Sequence, residues 1–183
     1  MVPQKVIKLA EIVRSHGGRA MLVGGCVRDE LMGIEPKDWD VEVYGVEPQK
    51  LRELLDTFIV TSGVAHEVNV VGEAFAVYKI GSDLDVSIPR RERQSPRGRR
   101  GFVVQGDPRM SFEDACSRRD FTINAILKDV LTGEIVEPFD GQGDIKRRLL
   151  RMVSHDTFAE DSLRVLRAAQ FAARLEFDID EET

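Results

Sequence analysis

The chain of 183 residues is poor in the side chains that several common chemistries require. Two cysteines, Cys26 and Cys116, and three scattered histidines exclude a disulfide framework and a Cys/His zinc site. No apolar run approaches the ~18–20 residues of a membrane span. The N-terminal stretch MVPQKVIKLAEI has no signal-peptide apolar region. These absences give the expectation of a reducing, cytoplasmic compartment, with no membrane and no disulfide partner. There is no internal repeat and no low-complexity tract. No feature specifies an oligomeric state. An apolar fraction of 42% is too high for a disordered chain.

Basic charge is also in deficit, with 26 Lys and Arg against 32 Asp and Glu for a net charge of −6. That excludes a uniformly basic coat for nucleic acid, but the distribution is uneven. Residues 1–89 hold nine basic and fourteen acidic side chains, residues 90–174 hold seventeen and thirteen, and residues 175–183 hold five acids only. Of the basic residues 19 are Arg, the side chain suited to bidentate contacts with phosphates and bases.

Periodicity predicts an α+β chain: a mixed sheet with helices, followed by an all-helical end. Val6, Leu9, Ala10 and Val13 stand at helical spacing before Gly17-Gly18. AMLV (20–23) reads as a short buried strand, CVRDELMG as one or two helical turns closed by Gly33. In DWDVEVYG, strict alternation places Trp39, Val41 and Val43 on one face and Asp38, Asp40, Glu42 and Tyr44 on the other. PQKLRELLD (48–56) is a short helix, AFAVYKI (74–80) a strand, and DLDVSI (83–88) repeats the alternation with Asp83 and Asp85 on its polar face. Residues 89–101 carry six arginines without apolar periodicity and read as a mobile loop. Ser111 with Asp114 signals a capped helix through FEDACSRRDFTINAIL. A turn follows at Thr132-Gly133, then a short helix from about Asp144 and a last helix from about Thr157 to Arg174.

Four constellations carry candidate chemistry. Asp38 and Asp40, two apart on a strand, project to one side; if 83–88 pairs near 38–44, Asp85 joins them. Three carboxylates on such a face suit Mg²⁺, and two ions would support in-line attack of a hydroxyl on a nucleotide α-phosphate. The plainer alternative is that alternating strands simply turn acids to water. GGCVRD (24–29) offers a strand–glycine–helix junction where backbone N–H groups can cradle a triphosphate, with Arg28 adding charge; it also suits an ordinary tight turn. In RRDFTINA, Asp120 and Asn124 are expected one helical turn apart, with Asn124 placed for a ribose hydroxyl and Arg119 for a phosphate, or else as part of an ordinary amphipathic helix. In EDSLRVLRAAQFAAR, Asp161 and Arg164 are expected side by side on one helix face. Such a pair is either a surface ion pair or a reader of base edges. As a reader, its carboxylate accepts the amino group of cytosine or adenine and repels the carbonyl of uracil or guanine.

Together LVGGCVRD (22–29), KDWDVEV (37–43), VGEAFAV (71–77), the stretch from Asp85 to Arg93, RRDFTINAI (118–126), DGQGD (140–144) and EDSLRVLRAAQFAAR (160–174) resemble the class II tRNA nucleotidyltransferase/poly(A) polymerase family of the DNA polymerase β superfamily. The resemblance spans roughly residues 20–180 in the family's order. It implies a nucleotidyltransferase head at residues 1–150 and the start of a helical neck at 151–183, without the family's RNA-binding body and tail. It further implies Mg²⁺, with two ions, CTP and ATP as substrates, and addition of C, C and A to the 3′ end of tRNA.

Position by position, Asp38 and Asp40 match the metal-binding acids, and Asp85 matches the third acid, which assists the 3′-hydroxyl. Gly24, Gly25 and Arg28 match the triphosphate turn; Arg119, Asp120 and Asn124 match the ribose and phosphate motif. Asp161 and Arg164 match the base-selecting pair, with Arg167 beside them. Arg90, Arg91, Arg93, Arg97, Arg99 and Arg100 fall in the family's flexible loop, which helps the switch from C to A addition. Two departures stand out. Glu73 and Ala74 replace the basic pair usual in poly(A) polymerases, which favours CCA addition, and Gln170 replaces an arginine that contacts phosphate in many relatives. The acidic end FDIDEET reads as the point where a longer protein stops, whether a truncated or a naturally short enzyme. Two alternatives remain: a poly(A) polymerase or CC-only or A-only adder, and a nucleotide- or RNA-binding module without efficient turnover.

Overall fold

A computed structural model describes residues 1–62, 69–71, 77–94 and 102–183. The expected strand residues 74–76, together with Glu73, Ala74, Arg97, Arg99 and Arg100, lie outside the described residues. The chain divides into two compact units. One comprises Met1–Leu22, Lys37–Met110 and Asp129–Gly133; the other comprises Val23–Pro36, Ser111–Lys128 and Glu134–Thr183.

The first unit starts with α1 (Gln4–Ser15), whose Val6, Leu9, Ala10 and Val13 are buried as their spacing requires. β1 (Arg19–Val23) pairs antiparallel with β2 (Trp39–Tyr44). Helix α3 (Pro48–Ser62) packs on α1 and buries Leu51, Leu54, Leu55 and Phe58. (The intervening α2, Gly25–Leu31, belongs to the second unit.) Each of these large side chains contributes about 1.5–3 kcal/mol when removed from water. The helix runs six residues past the expected end at Asp56, because Phe58 continues its apolar stripe and is fully buried. β3 (Asn69–Val71), β4 (Val77–Ile80) and β5 (Leu84–Ser87) complete a strand order of β3-β4-β5-β2-β1. The pairs β3·β4 and β4·β5 are antiparallel, and β2·β5 is parallel. Trp39, Val41, Val43, Leu84 and Val86 are all buried. Tyr44, expected among the acids, is buried as well, and its hydroxyl donates to Glu42 at 2.9 Å. The aromatic body goes inside, and the polar tip finds an acid.

Residues 89–101 are not one loop. β6 (Arg90–Gln94) and β7 (Phe102–Gly106) form a two-stranded antiparallel ribbon that carries Arg90, Arg91 and Arg93. Backbone pairing with a β-rich partner, FVVQG, overrides the lack of apolar periodicity in PRRERQ. At the ribbon's base Arg91 donates to Asp107 at 2.8 Å, and the Arg109 amide donates to the same carboxylate at 3.1 Å. These contacts hold the Asp107 carboxyl below its usual range, with the Arg91 hydrogen bond the largest cause.

The second unit contains α2 (Gly25–Leu31), α4 (Phe112–Ser117), a single 3₁₀ turn at Thr122–Asn124, most of β8 (Leu127–Asp129), and β9 (Ile135–Val136), which pairs with β8. It continues with α5 (Gly141–Arg147), β10 (Leu149–Leu150), α6 (His155–Ala159), α7 (Leu163–Leu175) and β11 (Asp178–Ile179). The expected Ser111 cap forms: its hydroxyl accepts the Asp114 amide at 3.0 Å. The helix ends at Ser117 instead of running on to Leu127. Phe121 pairs as a β-bridge with Met152, and the amides of Thr122 and Val153 donate to Arg151 and Asp120 carbonyls. Partners distant in sequence thus capture a donor and an acceptor that a helix would have used internally.

Phe121 is the centre of this unit's core, with Phe158 and Phe171 edge-on to it at 5.7 and 5.8 Å and Ile123, Leu150, Ala168 and Phe177 around them. The expected single helix 157–174 is two helices, because the Asp161 carboxylate takes the Leu163 amide at 2.9 Å and turns the chain there. The C-terminal stretch is also structured: β11 pairs parallel with β10, and the Thr183 hydroxyl accepts the Met152 amide at 2.9 Å. Thr183 thereby ties the end of the described chain to the backbone at Met152.

Candidate active site: an open acid face and a locked arginine network

In the first unit the parallel pairing of β2 with β5 sets Asp40 directly opposite Asp85. In the next ladder Asp85 stands opposite Lys79 of β4. Lys79, Asp85 and Asp40 therefore form one row across three strands, on the face opposite Leu84 and Val86. Lys79 donates to Asp85 Oδ2 at 2.5 Å. That hydrogen bond, with the charges of Asp85, Asp40 and Asp38, raises the lysine pKa above its usual value. Asp38 precedes the strand; it and Asp40 are exposed, while Asp85 is half-buried. Sequence reasoning placed the three acids and missed Lys79. The signal was there: Tyr78 and Ile80 are apolar neighbours of Lys79, so strand alternation turns it to the polar face.

Mg²⁺ asks for hard oxygen donors, typically one or two carboxylates, with water and phosphate oxygens completing an octahedron. Asp38 and Asp40 fit that demand. Among the described residues no three Asp, Glu, His or Cys side chains converge closely enough to hold a metal by themselves. Asp85 is instead engaged with Lys79.

The second unit holds its candidate residues differently. Gly24 sits at φ 70° and ψ −131°, a backbone that only glycine adopts readily, and it launches α2. Arg28 is 2% exposed; its guanidinium donates to Asn124 Oδ1 at 2.6 Å and to Asp29 Oδ1 at 2.8 and 2.5 Å. Asn124 donates to Asp120 Oδ1 at 3.0 Å. Arg167 closes the chain with a two-pronged contact to Asp120 Oδ2, Nε at 2.8 Å and Nη2 at 2.6 Å. Arg28 and Arg167 also stand over the Phe171 ring, 5.2 and 5.0 Å from its centroid, with Arg174 at 5.1 Å. Asp120 and Asn124 thus meet without sharing a helix. Asp29, Phe171 and Arg174 join the network without a sequence signal of their own.

Arg119 lies half-buried just after α4. Asp161 and Arg164 do not stand as neighbours on a helix face. The Asp161 carboxylate takes the Leu163 amide, and the Arg164 guanidinium reaches the carbonyls of Arg118 and Arg119 at 2.7 and 3.4 Å. The helix begins only after Asp161, so the i,i+3 geometry assumed from sequence never forms.

Beneath the network Asp144 is fully buried. It accepts from the Thr122 hydroxyl at 2.6 Å, from Arg147 at 2.7 Å and from Arg151 at 3.3 Å. Gly141 lets α5 approach this closely: a Cβ there would lie 2.4 Å from the Thr122 carbonyl oxygen.

Known proteins share this arrangement of sequence and fold. The chain is 44% identical over 168 residues to the Multifunctional CCA protein of Stenotrophomonas maltophilia, covering 88% of this chain and 38% of that protein. It is 41% identical over 160 residues to the Multifunctional CCA protein of Xylella fastidiosa, covering 86% and 35%. The chain therefore spans little more than a third of the length of these relatives. Among solved structures it resembles the Bacillus stearothermophilus CCA-adding enzyme in complex with CTP, with TM-score 0.78 and 29% identity over 99% of this chain and 42% of that one. It also resembles a tRNA nucleotidyltransferase complexed with a primer tRNA and an incoming ATP analog, with TM-score 0.73 and 33% identity over 96% and 47%. The family described as the poly A polymerase head domain matches residues 20–151. On these matches, the chain belongs to the poly A polymerase head-domain family.

Proposed function

We propose that the chain carries the catalytic part of a tRNA nucleotidyltransferase, which adds C, C and A from CTP and ATP to the 3′ end of tRNA. The observation that carries this reading is the in-register pair Asp40 and Asp85 on adjacent parallel strands, with Asp38 two residues before Asp40. Asp38 and Asp40 would hold Mg²⁺, two ions in the full reaction, which polarise the triphosphate and stabilise the leaving pyrophosphate when bound. Asp85 would accept the proton of the RNA 3′-hydroxyl. In the second unit Gly24, Gly25 and Arg28 would serve the triphosphate, and Arg119, Asp120 and Asn124 the ribose and phosphates. Asp161 and Arg164, with Arg167, would select the base, once Arg164 leaves the carbonyls it now holds. Arg90, Arg91, Arg93, Arg97, Arg99 and Arg100 would serve the C-to-A switch and contact RNA. Residues 1–150 would form the head and 151–183 the start of the neck, in a cytoplasmic enzyme. The family match over 20–151 supports that boundary. Among the described residues no helix is long and apolar enough to cross a membrane.

Incubation with Mg²⁺, labelled CTP or ATP and a tRNA lacking its 3′ CCA tests the proposal. Ordered incorporation of C, C and A supports it. Long A tails on arbitrary RNA would indicate polyadenylation, and CTP binding without incorporation at high tRNA would indicate a binding module.

A further inference from the structure

Among the described residues, carboxylates match two of the three guanidiniums that gather around Phe171 in the second unit. Arg28, Arg167 and Arg174 stand 5.2, 5.0 and 5.1 Å from the ring centroid. Arg28 is bonded to Asp29 and Arg167 to Asp120, whereas the Arg174 side chain has only the ring. From this surplus cation we infer that Arg174 is a phosphate-binding residue, its guanidinium held over Phe171 to receive a phosphate group of the nucleotide or of the RNA. The inference deepens the reading of the chain as a tRNA nucleotidyltransferase and rests on it for the identity of the ligands.

Arg167, Phe171 and Arg174 follow one another four and three residues apart on α7, so they share one helix face. The ring is buried and packed edge-on against Phe121, which makes it a fixed platform, while Arg174 itself is exposed. An arginine seated on such a ring has given up part of its rotamer freedom beforehand, and less remains to be lost when an anion binds. The nearest acid of the cluster is already engaged: Asp120 takes Arg167 on Oδ2, and Asn124 and the Phe121 amide on Oδ1. Arg28 belongs to the helix that Gly24 launches, so the Phe171 ring joins Arg174 to the residues read as the triphosphate turn. A phosphate suits the vacancy, because its oxygens accept from two guanidinium N–H groups at once. The plainer role, a cation that complements the helix dipole in the last turn of α7, would stabilise the helix and leave anion binding untouched.

Equilibrium binding of tripolyphosphate, CTP and cytidine to the intact chain, with filter binding of a tRNA lacking its 3′ CCA, provides the test. Arg174→Gln keeps helix propensity and removes the charge. It should weaken either tripolyphosphate and CTP together, or the tRNA, about tenfold, and leave cytidine unchanged. A loss on tripolyphosphate and CTP assigns the seat to the triphosphate. A loss on tRNA alone, with the dependence of log affinity on log salt shallower by about one contact, assigns it to the RNA backbone. Arg174→Lys, which keeps the charge without the planar fork, should recover part of the loss. Arg14→Gln, which removes an exposed arginine of α1, should change none of these affinities. Unchanged affinity of Arg174→Gln for tripolyphosphate, CTP and tRNA overturns the inference, as does an equal loss on cytidine. A lowered thermal midpoint with unchanged binding also overturns it, in favour of the helix-dipole role. If the parent chain binds neither phosphate ligand nor tRNA, both the enzyme reading and the inference fall. A parent that binds them but adds no nucleotide fails the enzyme reading alone and leaves the phosphate result standing.

Discussion

The two units hold their candidate site residues in opposite ways. In the first, the candidate acids sit on an open sheet face, two of them exposed, and their spacing is set by backbone register. In the second, Arg28, Asn124, Asp120 and Arg167 are tied to one another by hydrogen bonds between side chains, and Arg28, Asp120, Asn124 and Asp144 are buried. An exposed acid can change partners during a reaction at little structural cost. A buried, fully bonded network holds its shape and accommodates change poorly. The contrast fits chemistry placed on the first unit and recognition on the second.

The largest expected effect concerns the acid face. Asp40→Asn should reduce nucleotide incorporation by at least about 10³-fold, because a transition-state charge loses its metal. Its thermal midpoint should barely move, since substitutions at exposed positions usually change stability by less than ~0.5 kcal/mol. Incorporation assays and thermal melts on one preparation would check both. A large loss of stability would break the contrast.

The reverse is expected of the buried acid below the network. Asp144→Ala strands the Thr122 hydroxyl and removes one of the acidic partners of Arg147 and of Arg151, at a cost of about 3 kcal/mol by denaturant unfolding. Between these extremes lies Asn124, which links Arg28 to Asp120. Asn124→Ala should raise the KM for CTP and ATP about tenfold, the worth of one good hydrogen bond, with a smaller effect on kcat. Steady-state kinetics with each nucleotide would separate the two.

These differences also show why the first unit was the more legible in sequence. Period-two alternation in DWDVEV and DLDVSI specifies which residues share a face, and the β2–β5 pairing aligns them. Phe58 and Tyr44 departed from expectation only where an apolar body followed its neighbours inside. In the second unit the local signal misled. FEDACSRRDFTINAIL has helical periodicity, yet its Thr122 amide donates to the Arg151 carbonyl and its Asp120 carbonyl accepts the Val153 amide, partners that no local window contains. The Asp161–Arg164 spacing promised a helix-face pair, and an Asp161 turn broke the helix first. The Arg28–Asn124 contact joins residues 96 positions apart, and no spacing rule reaches it.

The smallest effect concerns pH. Asp129 is buried; burial raises its pKa, but the Thr132 amide, Arg19 and the Leu131 amide outweigh that and leave it below the usual carboxylate value. A carboxyl depressed in the folded state adds stability that is complete above the unfolded value, near ~3.9, and is lost as pH falls through the folded one. Asp129→Asn should therefore lower stability at pH 7 and flatten its fall below about pH 4. Thermal melts from pH 7 to pH 3 would show the change of slope.

The division between chemistry and recognition is tested most directly by single-turnover addition of CTP to tRNA lacking its CCA, followed over a range of CTP concentrations. The account predicts that Asp40→Asn lowers the maximal rate by at least about 10³-fold even at saturating CTP. It predicts that Asn124→Ala raises the half-saturating CTP concentration about tenfold and leaves the maximal rate within a few-fold of the parent. A normal maximal rate for Asp40→Asn, or an Asn124→Ala enzyme impaired only in maximal rate, would contradict it.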